Sequence, residues 1–177
     1  TITPLTDTSI LLQWHDNSDF ETGFLIESGT DGMNYQLIDS VDADTTHKIV
    51  QGIFYTSQNY YFKVRAKSKH NASGYASANS SFSFPAPTNL TITSFTETEV
   101  GLQWQDNSNF ETGFEIEEST DSVNYSVVKI VGANVTTAII NGTYLVSNRY
   151  SYRVRATTSN NASGYSNIAS QTFLFPA

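Results

Sequence analysis

One stretch of this chain occurs twice, and it restricts the fold more than any other feature. Residues 12–27 run from Leu12-Gln13-Trp14 through Asp16-Asn17-Ser18 to Glu21-Thr22-Gly23-Phe24 and end at Glu27. Residues 102–117 run from Leu102-Gln103-Trp104 through Asp106-Asn107-Ser108 to Glu111-Thr112-Gly113-Phe114 and end at Glu117. Trp14 and Trp104 are the two tryptophans of the chain, one in each copy. The shift that superposes them carries one half onto the other with almost no gaps, and roughly four positions in ten coincide. A chain of 177 residues built this way reads as two small domains in tandem, 1–86 and 87–177.

Within each half, short runs of alternating apolar and polar residues recur at intervals of about ten, divided by turn residues, the pattern of an all-β sandwich. Ile10, Leu12 and Trp14 alternate with polar neighbours, as do Phe24 and Ile26. Tyr60, Phe62, Val64 and Ala66 give the clearest period of two, repeated by Tyr150, Tyr152, Val154 and Ala156. Asp16-Asn17-Ser18 interrupts the pattern because such side chains bond their own backbone and favour turns, and Asp31-Gly32 suits a hairpin. Sustained apolar spacing of three and four is absent, so no helix is expected.

The four prolines, Pro4, Pro85, Pro87 and Pro176, fall in a first strand or at a junction, where the missing N–H does least damage to a ladder. Phe84-Pro85-Ala86-Pro87 leads into the second copy, and Phe175-Pro176-Ala177 begins the same phrase again. The expectation is a segment of a longer array with short, proline-stiffened, semi-rigid junctions.

Composition narrows function by exclusion. Net charge is −8 and the acidity is spread over both halves, which argues against nucleic acid, whose phosphates are held by Lys and Arg. The absence of cysteine removes disulfides, thiolate zinc sites and thiol nucleophiles together. No apolar run approaches the length of a membrane span.

These spaced features together resemble a fibronectin type III domain, of the kind common in prokaryotic extracellular proteins. The residues that carry the resemblance are Trp14 in the second strand, the Asp-Asn-Ser…Glu-Thr-Gly-Phe stretch and the Tyr60-x-Phe62-x-Val64-x-Ala66 strand, with Trp104, Tyr150, Tyr152, Val154 and Ala156 in the second copy. The resemblance implies two consecutive immunoglobulin-like sandwiches with Trp14, Tyr60, Trp104 and Tyr150 in the structural core. It further implies that Tyr60 and Tyr150 form tyrosine corners, each hydroxyl tied to nearby backbone. Phe54 and Tyr144 take the place of the family's usual Leu, and Thr56-Ser57 and Val146-Ser147 replace its frequent Pro-Gly. Removing either tryptophan is expected to cost about 3–5 kcal/mol.

Residues able to do chemistry do not assemble into a catalytic pattern. His15, His47 and His70 face Gln105, Thr137 and Asn160 in the other copy, whereas scaffold residues tend to appear in both. No catalytic, cofactor-binding or metal-ligating set is expected. A weak calcium site, if any, would fall at Asp106 or nearby carboxylates, but calcium wants six to eight converging oxygens. Glu115 and Glu117 share the outward face of one strand and read as a solvated acidic face. Asn-x-Ser/Thr triplets start at Asn71, Asn79, Asn89, Asn124, Asn134, Asn141 and Asn161, of which chance alone supplies roughly half. Asn71 and Asn161 are equivalent and are the expected positions for any N-linked glycan. The outward Tyr61, with Tyr55 and Tyr75, offers aromatic faces to a sugar or protein partner.

The functional expectation is a non-catalytic extracellular or cell-surface structural and adhesive module, acting as a spacer or as a filament or surface-layer unit. Its partners would be other copies or flanking domains of the same protein, or a cell-surface protein or polysaccharide. The alternatives are an accessory spacer of a secreted carbohydrate-active enzyme, or a decoration domain on a virus or phage.

Overall fold

In the computed structural model the described residues are 1–175, and they form strands and turns without helix. Pro176 and Ala177, part of the expected second junction, lie outside the described residues. The chain separates into two compact units, Thr1–Ser83 and Phe84–Ala177.

Unit 1 contains β1 (Ile2–Thr6), β2 (Ser9–Gln13), β3 (Gly23–Gly29), β4 (Gln36–Asp42), β5 (His47–Gln51), β6 (Asn59–Lys67) and β7 (Ala76–Ser81). One sheet has the order β1-β2-β5 and the other β4-β3-β6-β7. Unit 2 contains β8 (Thr88–Phe95), β9 (Glu99–Gln105), β10 (Gly113–Ser119), β11 (Ser126–Gly132), β12 (Thr137–Asn141), β13 (Arg149–Thr157) and β14 (Ala169–Thr172). Its sheets, β12-β9-β8 and β11-β10-β13-β14, repeat the first pair. Every pairing between named strands is antiparallel. Pro4 sits in β1, an edge strand, where its absent N–H is tolerated. No helix of the described residues is long and apolar enough to cross a membrane.

The inward residues of the alternating runs meet between the sheets. In unit 1, Ile10, Leu12, Phe24, Ile26, Tyr60 and Phe62 are buried. Unit 2 packs the equivalents and more, with Tyr152, Val154 and Ala156 all fully enclosed. Phe95 adds an aromatic cluster, its ring centroid 5.0 Å from that of Tyr144 and 5.3 Å from that of Phe173. Leu5, the counterpart of Phe95 in unit 1, is left exposed.

The repeated stretch has a mechanical explanation. Asp16 Oδ1 accepts the Ser18 N–H and Asp106 Oδ1 the Ser108 N–H, both at 3.0 Å, so each Asp closes the turn that leaves the second strand. Thr22 and Thr112 then donate their N–H groups to the carbonyls of Lys67 and Thr157 at 2.7 and 2.8 Å, starting the next strand against β6 or β13. The glycine that follows is obligatory, since a Cβ at Gly23 or Gly113 would collide with the carbonyl oxygen of Val41 or Val131.

Candidate functional site

The turn that begins at Asp16 ends in a group of carboxylates. Glu21 Oε1 accepts the N–H of Asp44, from the turn between β4 and β5, at 3.3 Å, and Asp44 adopts a left-handed φ of 59°. This brings carboxylate oxygens of Asp16, Glu21 and Asp44 within 4.8 Å of one another. Unit 2 builds the same corner with one change. Glu111 Oε1 accepts the N–H of Asn134 at 3.0 Å, and Asn134 has a φ of 58°. Asp106 is pushed above the usual carboxylate range, first by burial and then by the neighbouring Glu111 charge, against the bond from the Ser108 N–H. The expectation placed no ligand set in unit 1, because Asp44 is distant from Asp16 and Glu21 in sequence.

The acidic face expected at Glu115 and Glu117 is not solvated. Register pairs Glu117 with Arg153 and Glu115 with Arg155 directly across β10 and β13. Arg153 Nε lies 2.7 Å from Glu117 Oε2, and Arg155 Nε lies 2.7 Å from Glu115 Oε2. The Tyr165 hydroxyl donates to Glu117 Oε1 at 2.7 Å, and the Arg153 guanidinium lies between the Tyr125 and Tyr165 rings, 4.0 and 3.7 Å from their centroids. Glu117 is only 5% exposed. Burial opposes its ionisation, yet the bonds from Tyr165 and Arg153 outweigh burial and hold its carboxyl below the usual range. Alternation correctly put Glu117 on the far side of the strand from the core. It could not show that two tyrosines and an arginine cover that side. In unit 1 the pairing is looser, with Arg65 reaching Glu27 diagonally at 3.6 Å and Lys63 lying 3.6 Å above the Tyr35 ring.

Trp104 is 3% exposed, but Trp14 is only partly covered and borders a cleft of about 310 Å³ with His15, Asn17, Gly74 and Tyr75. In unit 2 the lead-in segment occupies the matching side. Asn107 Nδ2 donates to the Ala86 carbonyl at 2.8 Å, Ala86 lies beside Gly164, and Phe84 packs on Phe110 with centroids 4.8 Å apart. Phe20, the counterpart of Phe110, is 87% exposed.

The remaining expected residues fall as follows. Tyr60 and Tyr150 are buried, and their hydroxyls accept the N–H groups of Tyr55 and Leu145 at 2.6 and 3.0 Å. Asn71 is exposed and Asn161 partly so, in equivalent loops. The serines of those triplets have a structural task, since Ser73 Oγ accepts the Ala66 N–H and Ser163 Oγ the Ala156 N–H. That task accounts for the serine of each Asn-Ala-Ser triplet. His15, His47 and His70 are exposed and dispersed. Tyr55 and Tyr75 are about half exposed, at 49% and 43%, and Tyr75 donates to Glu27 Oε1. Tyr61 is half-buried.

No family model matches the chain, and no curated protein matches it in sequence. Among solved structures, a two-domain fibronectin type III segment of chicken tenascin matches with a TM-score of 0.54 at 12% identity, over 98% of this chain and 97% of that one. The FN1–FN3 domains of chicken CNTN1 match with a TM-score of 0.47 at 14% identity, over 96% of this chain and 62% of that one. The tenascin match and the paired three- and four-stranded sheets define the fold as two consecutive fibronectin type III sandwiches.

Proposed function

We propose that the chain is a non-catalytic structural and adhesive module of an extracellular or cell-surface protein, two units of a longer array that serves as a spacer or as a filament or surface-layer element. The observation that carries this reading is what the two units have in common. The shared polar residues serve the backbone: Asp16 and Asp106 close turns, Tyr60 and Tyr150 hold strand corners, and Ser73 and Ser163 hold loops. The most enclosed ion pair, Glu117 with Arg153, is satisfied internally and fixes β10 to β13. Partners are then copies or neighbouring domains of the same protein, or a cell-surface protein or polysaccharide met through exposed strand edges and aromatic rings.

Sedimentation of the purified chain at rising concentration, together with a panel of polysaccharides and glycoside substrates, tests this. Concentration-dependent assembly supports the filament form, and a monomer throughout supports the spacer form. Turnover of any glycoside by the pure chain, abolished by a single carboxylate substitution, overturns the reading.

A further inference from the structure

We propose that the uncovered Trp14 side of unit 1 is a docking site for the Phe175-Pro176-Ala177 segment of a second copy of this chain, so that copies join head to tail. The proposal deepens the filament form of the reading above and rests on it.

Unit 2 shows what such a side takes up. Its lead-in runs Phe84-Pro85-Ala86-Pro87, and Phe84 and Pro87 are both buried. The Phe84 ring packs on Phe110 with centroids 4.8 Å apart. The Ala86 carbonyl accepts the Asn107 amide at 2.8 Å, and the Ala86 methyl lies 3.8 Å from where a Cβ on Gly164 would stand. Trp104 of the same unit is 3% exposed.

Unit 1 presents the same acceptors, and among the described residues nothing fills them. Phe20, Asn17 and Gly74 stand where unit 2 has Phe110, Asn107 and Gly164. Phe20 is 87% exposed, Asn17 is exposed, and a Cβ on Gly74 would meet no atom within 4 Å. Trp14 and Asn17 line the open cleft of about 310 Å³. A bare phenylalanine near a partly bare tryptophan is apolar surface that gains by being covered. The Asn167 amide that grips Leu90 has Ser77 as its counterpart, but Leu90 lies beyond the three residues concerned.

The sequence specifies the occupant. Phe175-Pro176-Ala177 repeats Phe84-Pro85-Ala86. It also follows the last buried phenylalanine at the same distance, since Phe82 and Phe84 are separated by a single residue, as are Phe173 and Phe175. Phe173 is buried, whereas Leu174 and Phe175 are 69% and 65% exposed. Unit 2 thus carries an unused plug and unit 1 the socket that fits it. Two unlike surfaces meet in such a contact, so it propagates as an open filament unless the rotation closes a ring.

The test uses the whole chain. The plug is short, so a weak Kd of about 10⁻⁴–10⁻³ M is expected, and sedimentation is followed to on the order of 1 mM. Mass is expected to rise with concentration. The synthetic peptide Ser-Phe-Pro-Ala-Pro-Thr-Asn-Leu, the sequence of residues 83–90, is expected to return it to monomer. In a ¹⁵N-labelled chain the same peptide is expected to shift the Trp14 indole N–H signal and leave that of Trp104 in place. Phe175→Ser, an exposed change, is expected to weaken self-association at least about tenfold and to leave peptide binding intact. Phe20→Ser, also exposed, is expected to weaken both. A lead-in placed ahead of Thr1 is expected to fill the site from within the same chain and abolish both. A chain that stays monomeric throughout overturns the proposal, as does a peptide that shifts neither tryptophan or shifts Trp104 instead. Self-association undiminished by Phe175→Ser or by the added lead-in overturns this docking mode alone and leaves the filament form standing through other contacts.

Discussion

The Tyr150 hydroxyl accepts the backbone N–H of Leu145 at 3.0 Å, joining the start of β13 to the loop that precedes it. Removing the hydroxyl leaves a partly buried N–H without an acceptor, while the ring keeps its edge contact with Tyr144, centroids 4.9 Å apart. Tyr150→Phe is therefore expected to destabilise unit 2 by about 1–3 kcal/mol. Denaturant unfolding measures the loss, and faster amide exchange at Leu145 locates it. An unchanged midpoint would show that the hydrogen bond contributes nothing.

Ser57 and Ser147 occupy left-handed backbone, with φ of 66° and 68°, at the turn where the resemblance leads one to expect Gly. A side chain there costs about 1–2 kcal/mol, and glycine's greater freedom in the unfolded chain takes back part of the gain. Ser57→Gly and Ser147→Gly are each expected to stabilise their own unit by about 0.5–1 kcal/mol. Thermal unfolding of the single and double variants tests both size and additivity.

Glu117 links stability to pH. Its folded pKa lies below the ordinary 4.5, so its contribution is fully present above that value and is lost as pH falls through the folded pKa. Asp106, raised by burial and by Glu111, acts in the opposite sense, its penalty being relieved on acidification. Glu117→Gln is expected to cost unit 2 about 1–3 kcal/mol at neutral pH and to flatten the acid side of its stability profile. Equal slopes in variant and parent between pH 6 and 3 would dismiss the ion pair as a source of acid sensitivity.

Unit 1 is expected to unfold before unit 2, because Trp14 borders an open cleft and Phe20 is uncovered, whereas Phe84 and Ala86 cover the matching places in unit 2. Placing Phe-Pro-Ala-Pro-Thr-Asn-Leu ahead of Thr1 is expected to raise unit 1 stability by about 2 kcal/mol, the value of burying one Phe side chain. In a Trp104→Phe background, Trp14 emission is expected to shift to shorter wavelength. For the same reason Trp14→Ala costs less than Trp104→Ala, which correlates with an indole 3% exposed in unit 2 and a partly exposed one in unit 1.

The strands were legible because alternation at Ile10, Leu12, Phe24 and Ile26 reports burial on one face, and burial on one face is what a sandwich requires. The motif around Asp16 was legible as a turn for the same local reason. What local pattern does not carry depends on register between strands far apart in sequence. Glu117 becomes enclosed only when β13 places Arg153 opposite it. Asp44 becomes a neighbour of Asp16 only when the turn after β4 folds back to Glu21. Local periodicity assigns a side chain to a face but not to the residue across from it. Both chemically interesting groups of this chain are therefore properties of tertiary pairing.

The first strand of each unit, β1 or β8, belongs to the three-stranded sheet, and the last, β7 or β14, to the four-stranded one. The two sheets are held to each other by packed side chains and, in unit 2, by the Asn167 amide, which bonds both the N–H and the carbonyl of Leu90 in β8, with no cysteine to bolt them together. A pull on the two ends of a unit is therefore opposed by packing and hydrogen bonds alone, with no covalent link that a change of redox state could make or break.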